Sequence, residues 1–420
     1  MNTTFRSRIR ESLAGFNRGL WVLTGGQVIQ LIGDHFVTIA ISAFTYTMTR
    51  SAWSYALQQL AAFLPWMLFS SIAGPISDRF DRRKVLISAD LIRATICFFY
   101  PFCRAIEALL MLNFLRSVAG VFAMNARVAL VPRLCDRDRL LQANGIRTAV
   151  FGVIDLTGPA LAGFLMGKIG TTVAFRFTAT MWVIGALIFL SIPAFAGRPE
   201  RQAAVAGPAP GFWRDLRAGL AFLRGDRALL GMVILYCVYT AGQNGTNSVF
   251  YPYVEDVLRA GPAVFGLSIS FYFGANLLAG ILLARFGRMF SRLPMIWLMV
   301  PASFVWFGYS LARHIPLVLA MGFLEGMIFS TLTNLFTTRV QSRAPSAMTG
   351  RVWGLASSIT SGGEVLGILG SGAAAGRFGP VVAYRVVGTV GLALIILADL
   401  ARRASARRSE ADGSAPLAAE

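Results

Sequence analysis

Apolar residues along this chain come in long runs broken by short basic segments, not in the short alternations of a half-buried sheet. Runs of about 20 apolar residues are what a helix needs to cross a hydrocarbon core about 30 Å thick. The pattern predicts twelve such spans: 20–48, 53–76, 85–103, 106–130, 141–168, 171–195, 227–250, 263–284, 293–312, 315–338, 351–376 and 379–400. The chain is therefore expected to be an all-α membrane protein. Segment 196–226 is the one substantial polar connection, with Gly197, Pro199, Gly207, Pro208 and Pro210 followed by Arg214, Arg217, Arg224 and Arg227. It divides a basic tail (1–19) and a first six-helix bundle (20–195) from a second bundle (227–401). The polar end 402–420 has nothing apolar to bury and reads as disordered.

Composition agrees with the pattern. Of the 420 residues 55% are hydrophobic and 14% charged, where a soluble surface needs roughly a quarter charged residues. The basic start runs into a long span without a small-residue cleavage site, so no removable leader is expected. The net charge of +19 raises the question of nucleic acid, but the cations lie between spans and not on one soluble face. They also alternate by side. Twenty-nine of the 39 lysines and arginines fall in the segments on the side of the N-terminus and eight on the other, leaving Arg93 and Arg116 inside spans. Basic loops stay in the cytoplasm, so both termini are expected there, in a bacterial inner membrane.

The two halves read as repeats. Gly33-Asp34 meets Gly242-Gln243 at a shift of 209 residues, and Gly158, Gly163, Gly167, Lys168 and Gly170 meet Gly367, Gly372, Gly376, Arg377 and Gly379 at the same shift. Gly74 and Arg79 meet Gly280 and Arg285 at a shift of 206. Parallel six-span repeats place a solute route between the halves, near the midplane.

After the second span the chain reads Gly74-Pro-Ile-Ser-Asp78-Arg79-Phe-Asp81-Arg82-Arg83-Lys84. Gly74 permits close helix approach, Asp78 could cap a neighbouring helix, and the arginines suit an anionic leaflet. This loop resembles the signature loop of the major facilitator superfamily. Its second-half copy has Ala284 in place of Asp78, so any lock is expected in the first half. Leu112-x-x-x-Arg116-x-x-x-Gly120 is similar to that family's fourth-helix motif, and Gly158-Pro159-Ala-Leu-Ala162-Gly163 to its antiporter motif. Gly33-Asp34, Asp90-Leu-Ile-Arg93 and Thr349-Gly-Arg351-Val-Trp-Gly354 look like the macrolide- and siderophore-exporter branch. The resemblance implies a twelve-helix fold in two pseudo-symmetric halves and a proton-driven antiporter exporting a bulky amphiphilic small molecule. A dedicated siderophore, metabolite or lysolipid carrier, or a non-transporting sensor, are the alternatives.

Ionisable residues inside spans narrow the chemistry. Asp34, Asp155, Glu325 and Glu364 lie within spans, where a charged carboxylate costs several kcal/mol unless partnered or neutral. A carboxyl poised between burial and a nearby arginine can bind and release a proton. Asp34 ranks first for proton coupling, central in its span beside Gly33. Arg116 and Glu325 follow, paired with each other by the 209-residue shift. Asp155 and Glu364 are repeat equivalents read as coupling or gating contacts, and Asp90 and Arg93 are expected to pair at i, i+3. Tyr236, Tyr239, Asn244 and Asn247 are candidates for a greasy substrate pocket with polar contacts.

Other classes find little support. Cys97, Cys103, Cys135 and Cys237 lack metal spacing and read as packing residues. His35 and His314 find no partners for a zinc site. Gly163 to Lys168 lacks the spacing and hydroxyl of a phosphate loop. No cofactor or metal is expected, an enzyme is not, and the partners expected are a small-molecule substrate, protons and a bilayer with anionic lipids around a monomer.

Overall fold

The computed structural model describes residues 18–197, 220–291, 293–345 and 348–411. The basic tail through residue 17, most of the expected linker (198–219) and the last part of the expected disordered end (412–420) lie outside the described residues; its first part, 402–411, is not disordered but continues the last helix.

Twelve long helices account for nearly all of what is described. They are α1 (Arg18–Thr49), α2 (Ala52–Asp78), α3 (Arg82–Phe99) and α4 (Ile106–Leu130), then a helical stretch Leu140–Phe189 broken at Gly170 into α5 (140–169) and α6 (171–189). The second half holds α7 (Arg227–Asp256), α8 (Pro262–Ser291), α9 (Ile296–Tyr309), α10 (Ile315–Arg343), α11 (Thr349–Phe378) and α12 (Pro380–Ala411). Seven helical stretches are long and apolar enough to cross a membrane on their own terms, with α5 and α6 taken as one. Helices α7 and α11 are more polar, carrying Gln243, Asn244 and Asn247, and Ser357, Ser358, Thr360 and Glu364. Such residues are tolerated at membrane depth where a helix faces protein or a wet cavity.

The repeat is written into the backbone. Among the described residues four have left-handed φ: Arg50 (47°), Gly170 (75°), Arg259 (51°) and Gly379 (84°). They form two pairs, each 209 residues apart. Arg50 and Arg259 end the turn after the first helix of each half. Gly170 and Gly379 turn the fifth helix into the sixth, at a conformation that glycine adopts without strain.

The chain falls into two compact units, one of residues 1–45 and 61–207, the other of 46–60 and 208–420. Tyr46–Leu60, which joins the first two helices, thus groups with the second unit although it lies in the first half of the sequence.

In the first unit the core is built from small and branched residues, among them Leu23, Leu86, Ala119, Ala123, Ala126, Leu130 and Phe189. In the second it is larger and more aromatic, with Val233, Tyr236, Tyr239, Met299, Trp306, Leu332 and Phe336. Lipid is as apolar as leucine, so helices here associate through close packing and polar contacts and not by escape from water. Small residues make the approach possible. A Cβ at Gly363 would stand 2.9 Å from the Cys237 carbonyl oxygen, and one at Gly245 would stand 3.1 Å from that of Gly367, so α7 and α11 meet backbone to backbone. Large apolar side chains such as Trp297, Phe304, Leu366 and Leu397 are exposed, as expected of surfaces that face acyl chains.

Candidate functional site

The signature loop is held by its own carboxylate. Asp81 precedes α3 and accepts from the backbone N–H groups of Arg83 (2.9 Å) and Lys84 (3.2 Å), an N-cap. Arg83 donates to the Leu190 carbonyl past the end of α6, and Arg133 donates to Ala196 O at 3.2 Å. Both guanidiniums thus tie to chain just beyond α6. A Cβ at Gly197 would stand 2.9 Å from both Asp81 Cγ and Arg83 Cβ. Arg82 is buried, Arg79 exposed and Gly74 half-buried. The cap identified here is Asp81; the side chain of Asp78, expected to cap, lies outside what is described.

A charge network lies inside the first unit. Arg93 on α3 donates through Nη2 to Asp34 Oδ1 on α1 at 2.5 Å and through Nη1 to Asp90 Oδ1, one turn back, at 3.1 Å. Asp90 also accepts from Gln30 Nε2 at 2.6 Å, and Arg127 of α4 lies 3.9 Å away. The guanidinium carbon of Arg93 sits 4.1 Å over the Trp182 ring of α6, a cation–π contact. Two carboxylates and two guanidiniums leave the group neutral overall, which is how charges persist at membrane depth. Asp90 is fully buried, while the side chain of Asp34 is 31% exposed. The Asp90–Arg93 spacing was legible in the sequence. The link to Asp34, across 59 residues, was not. Gly33 makes room for α6, since a Cβ there would be 3.3 Å from Trp182 Nε1.

Next along α1, His35 Nε2 stands 3.1 Å from Asp155 Oδ1 of α5. The antiporter-like motif serves this pair. A Cβ at Gly158 would stand 2.5 Å from His35 Cδ2, so the glycine makes room for the imidazole. Pro159 and Ala162 are buried beside it, and Gly163 is buried one turn on. Sequence reasoning weighed His35 only as a zinc ligand; its partner 120 residues away has no local signal.

In the second unit the centre is Glu325 of α10, 5% exposed. Its Oε1 accepts from Gln243 Nε2 of α7 (3.0 Å) and Trp306 Nε1 of α9 (3.1 Å), and its Oε2 accepts from Tyr309 Oη (2.9 Å). All three donors are neutral, and among the described residues no cation pairs with this carboxyl. A proton can therefore neutralise it without an ion pair being broken.

Arg116 of α4 occupies the equivalent place in the first unit. Its Nε donates to Tyr100 Oη (3.1 Å) and Asn113 Oδ1 (3.2 Å), and its Nη2 to Asn113 Oδ1 (2.9 Å). Tyr100 and Tyr309 are themselves 209 residues apart, as are Arg116 and Glu325. Each unit thus sets a tyrosine at the end of its third helix against an ionisable residue of its fourth, with opposite charge.

Of the expected pocket residues, Tyr236 and Tyr239 pack together, their rings 6.0 Å apart. Tyr239 is fully buried, its ring 5.6 Å from Trp306. Tyr236 stacks on Phe336 at 4.0 Å and hydrogen-bonds Thr333 at 2.9 Å. Asn244 is half-buried and donates to Thr240 O, while Asn247 is exposed. Glu364 is half-buried and makes no hydrogen bond or ion pair with a described residue. A cavity of about 210 Å³ between the ends of α7, α9, α10 and α12 is lined by Met232, Leu235, Met295, Ile296, Arg339 and Arg343, and by none of the expected site residues. Among the described residues no three histidine, cysteine, aspartate or glutamate side chains gather as a metal site would require.

The profile of the Major Facilitator Superfamily matches residues 23–368. The chain belongs to the major facilitator superfamily. It is accordingly a multi-pass membrane transporter of the twelve-helix, two-half fold. Macrolide efflux protein A of Streptococcus pyogenes is 25% identical over 396 residues, 90% of this chain and 95% of that one. The multidrug efflux pump Tap of Mycobacterium tuberculosis is 23% identical over 379 residues, 85% and 87% of the two chains. Among solved structures the nucleoside transporter NupG superposes with a TM-score of 0.69 at 14% identity, over 92% of this chain and 98% of its own. A bacterial homologue of the iron transporter ferroportin, in an inward-facing state, gives 0.68 at 13% identity, over 92% and 98%. At such identities these structures speak for the fold alone.

Proposed function

We propose that this member of the superfamily is a proton-driven antiporter that exports a bulky amphiphilic small molecule across the bacterial inner membrane by alternating access, as a monomer with both termini in the cytoplasm. The observation that carries the reading is Glu325, a buried carboxyl held by Gln243, Trp306 and Tyr309 with no cation beside it among the described residues. The efflux proteins related over most of the chain support export as the direction.

Glu325 now stands ahead of Asp34 as the coupling group. A proton on Asp34 must displace the Arg93 ion pair at 2.5 Å; a proton on Glu325 displaces none. Asp34 then acts as the second coupling group, its pairing deciding whether Arg93 is shared or belongs to Asp90 alone. A ligand can shift the two access states only by its differential affinity for them, so the proton must bind Glu325 more tightly in one state than in the other. Asp155 with His35 serves as a polar contact within its own unit, Glu364 as a gating carboxyl of α11, and the Gly74–Lys84 loop acts at the cytoplasmic gate.

The test is efflux of a macrolide and a fluorescent-dye panel from pump-deficient bacterial cells expressing the chain. Export should be abolished by a protonophore and by Glu325→Gln, and weakened by Asp34→Asn. Export that survives the protonophore would end the proton-coupled reading, and full export by Glu325→Gln would remove Glu325 from it.

A further inference from the structure

Arg116 is the intramembrane charge that the proton-coupling argument leaves unused. It is the eleventh residue of α4, about 15 Å along the axis from the start of that helix at 1.5 Å per residue, which is near the bilayer midplane. An arginine side chain at that depth needs a protein partner, a wet cavity or a ligand. Its partners are neutral: Tyr100 Oη and Asn113 Oδ1. Among the described residues no carboxylate pairs with it, and Nη1 makes no hydrogen bond. A guanidinium carries five N–H donors in a planar fork, so the side facing away from Tyr100 and Asn113 keeps the geometry that accepts a carboxylate through two parallel bonds.

A second donor lies on the same flank. Gly120, one turn from Arg116 and on the same helix face, has no side chain to fill the space. A Cβ there would come only to 3.9 Å from Arg93 Nε. That Nε is buried and has no hydrogen-bond partner, although both terminal nitrogens of Arg93 are committed to Asp34 and Asp90. Buried donors without partners are uncommon, because each gives up a hydrogen bond that water would have supplied. The repeat sharpens the contrast, since the equivalent place in the second unit carries Glu325.

We propose that the flank of α4 at Arg116 and Gly120 is an anion-binding site, which takes the carboxylate of an amphiphilic solute. This rests on the reading of the chain as a carrier of amphiphiles, and adds that those it prefers bear a carboxylate. A headgroup phosphate belongs at the membrane surface, far from the depth of Arg116, which makes the solute the source of the anion.

The experiment is a fluorescence titration of the purified full-length chain in phosphatidylcholine nanodiscs, at neutral pH, with dansylamino-undecanoic acid and its neutral primary amide. The acid should bind roughly tenfold more tightly than the amide, about 1.4 kcal/mol. Arg116→Gln should erase the preference and Arg116→Lys should retain part of it, the charge remaining without the fork. Asn113→Asp keeps the guanidinium but supplies an internal carboxylate, and should erase the preference too; it decides the matter if Arg116→Gln does not fold. Glu325→Gln should keep the preference while losing efflux, so the failure of proton coupling is distinguishable from the failure of anion binding. Equal binding of acid and amide, binding of neither, or a preference that survives both Arg116→Gln and Asn113→Asp would overturn the proposal. Competition by phosphatidylglycerol added to the nanodiscs would overturn the assignment to a solute.

Discussion

Removing Arg93 should cost the first unit more than removing Asp90, and removing both should cost less than the sum. The pair is desolvated, with Arg93 at 6% and Asp90 at 0% side-chain exposure. Breaking such a pair by deleting one partner costs about 3–5 kcal/mol, because the other charge stays buried. In Arg93→Leu, Asp90 keeps Gln30 at 2.6 Å and Arg127 at 3.9 Å, and at an effective dielectric of about 20 the latter attraction is about 4 kcal/mol. Asp34, a third exposed, can recruit water. We therefore expect Arg93→Leu to fall at the low end, about 3 kcal/mol. In Asp90→Asn the arginine keeps Asp34, and the new amide oxygen can still accept from Gln30, so about 1–2 kcal/mol is expected. The double variant leaves Arg127 and Asp34, one charge of each sign, and should recover about 2 kcal/mol relative to additivity. The assay is equilibrium unfolding in mixed micelles with increasing SDS, followed by helicity, on all four proteins of the cycle. Additivity within about 0.5 kcal/mol, the behaviour of independent sites, would refute the account of a shared, charge-balanced network.

Three further outcomes follow from the same geometry. Glu325→Leu strands the buried donors of Gln243, Trp306 and Tyr309 and should destabilise the second unit by about 3 kcal/mol or more, while Glu325→Gln should stay within about 1 kcal/mol; equal losses in the SDS titration would contradict the hydrogen-bond assignment. Gly379→Ala places a Cβ at φ 84° and should cost about 1 kcal/mol or more in the same titration, with Gly170→Ala behaving alike; no loss in either would count against the repeat-related turns. Gly158→Ala must displace the His35 ring, costing about 1–3 kcal/mol as an overpacking change. With only two histidines in the chain, ¹⁵N-histidine NMR should show one resonance moving, and unchanged spectra would mean that α5 does not pack on His35.

Much of the fold was legible before any coordinates. Span positions come from length and hydropathy, which belong to each segment alone, so the expected 20–48 and the observed Arg18–Thr49 differ only at the ends. The break between spans five and six was expected at 169–170, and Gly170 is where the helix turns. The 209-residue shift, read from glycines, is also the spacing of all four left-handed residues and of the tyrosines that meet Arg116 and Glu325. A missed signal was available here, since Tyr100 and Tyr309 obey the same shift and could have been matched in the sequence.

Partnership was another matter. The residues that answer each other are 59 apart for Asp34 and Arg93, 120 for His35 and Asp155, and 82 for Gln243 and Glu325. Each sits on a different helix, and which of them meet depends on how each helix is rotated about its axis. A soluble amphipathic helix announces that rotation by its apolar stripe. A span that is apolar on every side does not, because lipid accepts all its faces alike. The chain by itself therefore determined how many helices there are, where they begin, how the halves repeat and which ionisable residues lie at membrane depth. Only the tertiary structure decided that Arg93 balances Asp34 and Asp90, that Tyr239 packs on Trp306 inside the second unit, and that Glu325 has no counter-ion among the described residues. Those outcomes rest on polar contacts and close glycine packing between helices, which no single segment encodes.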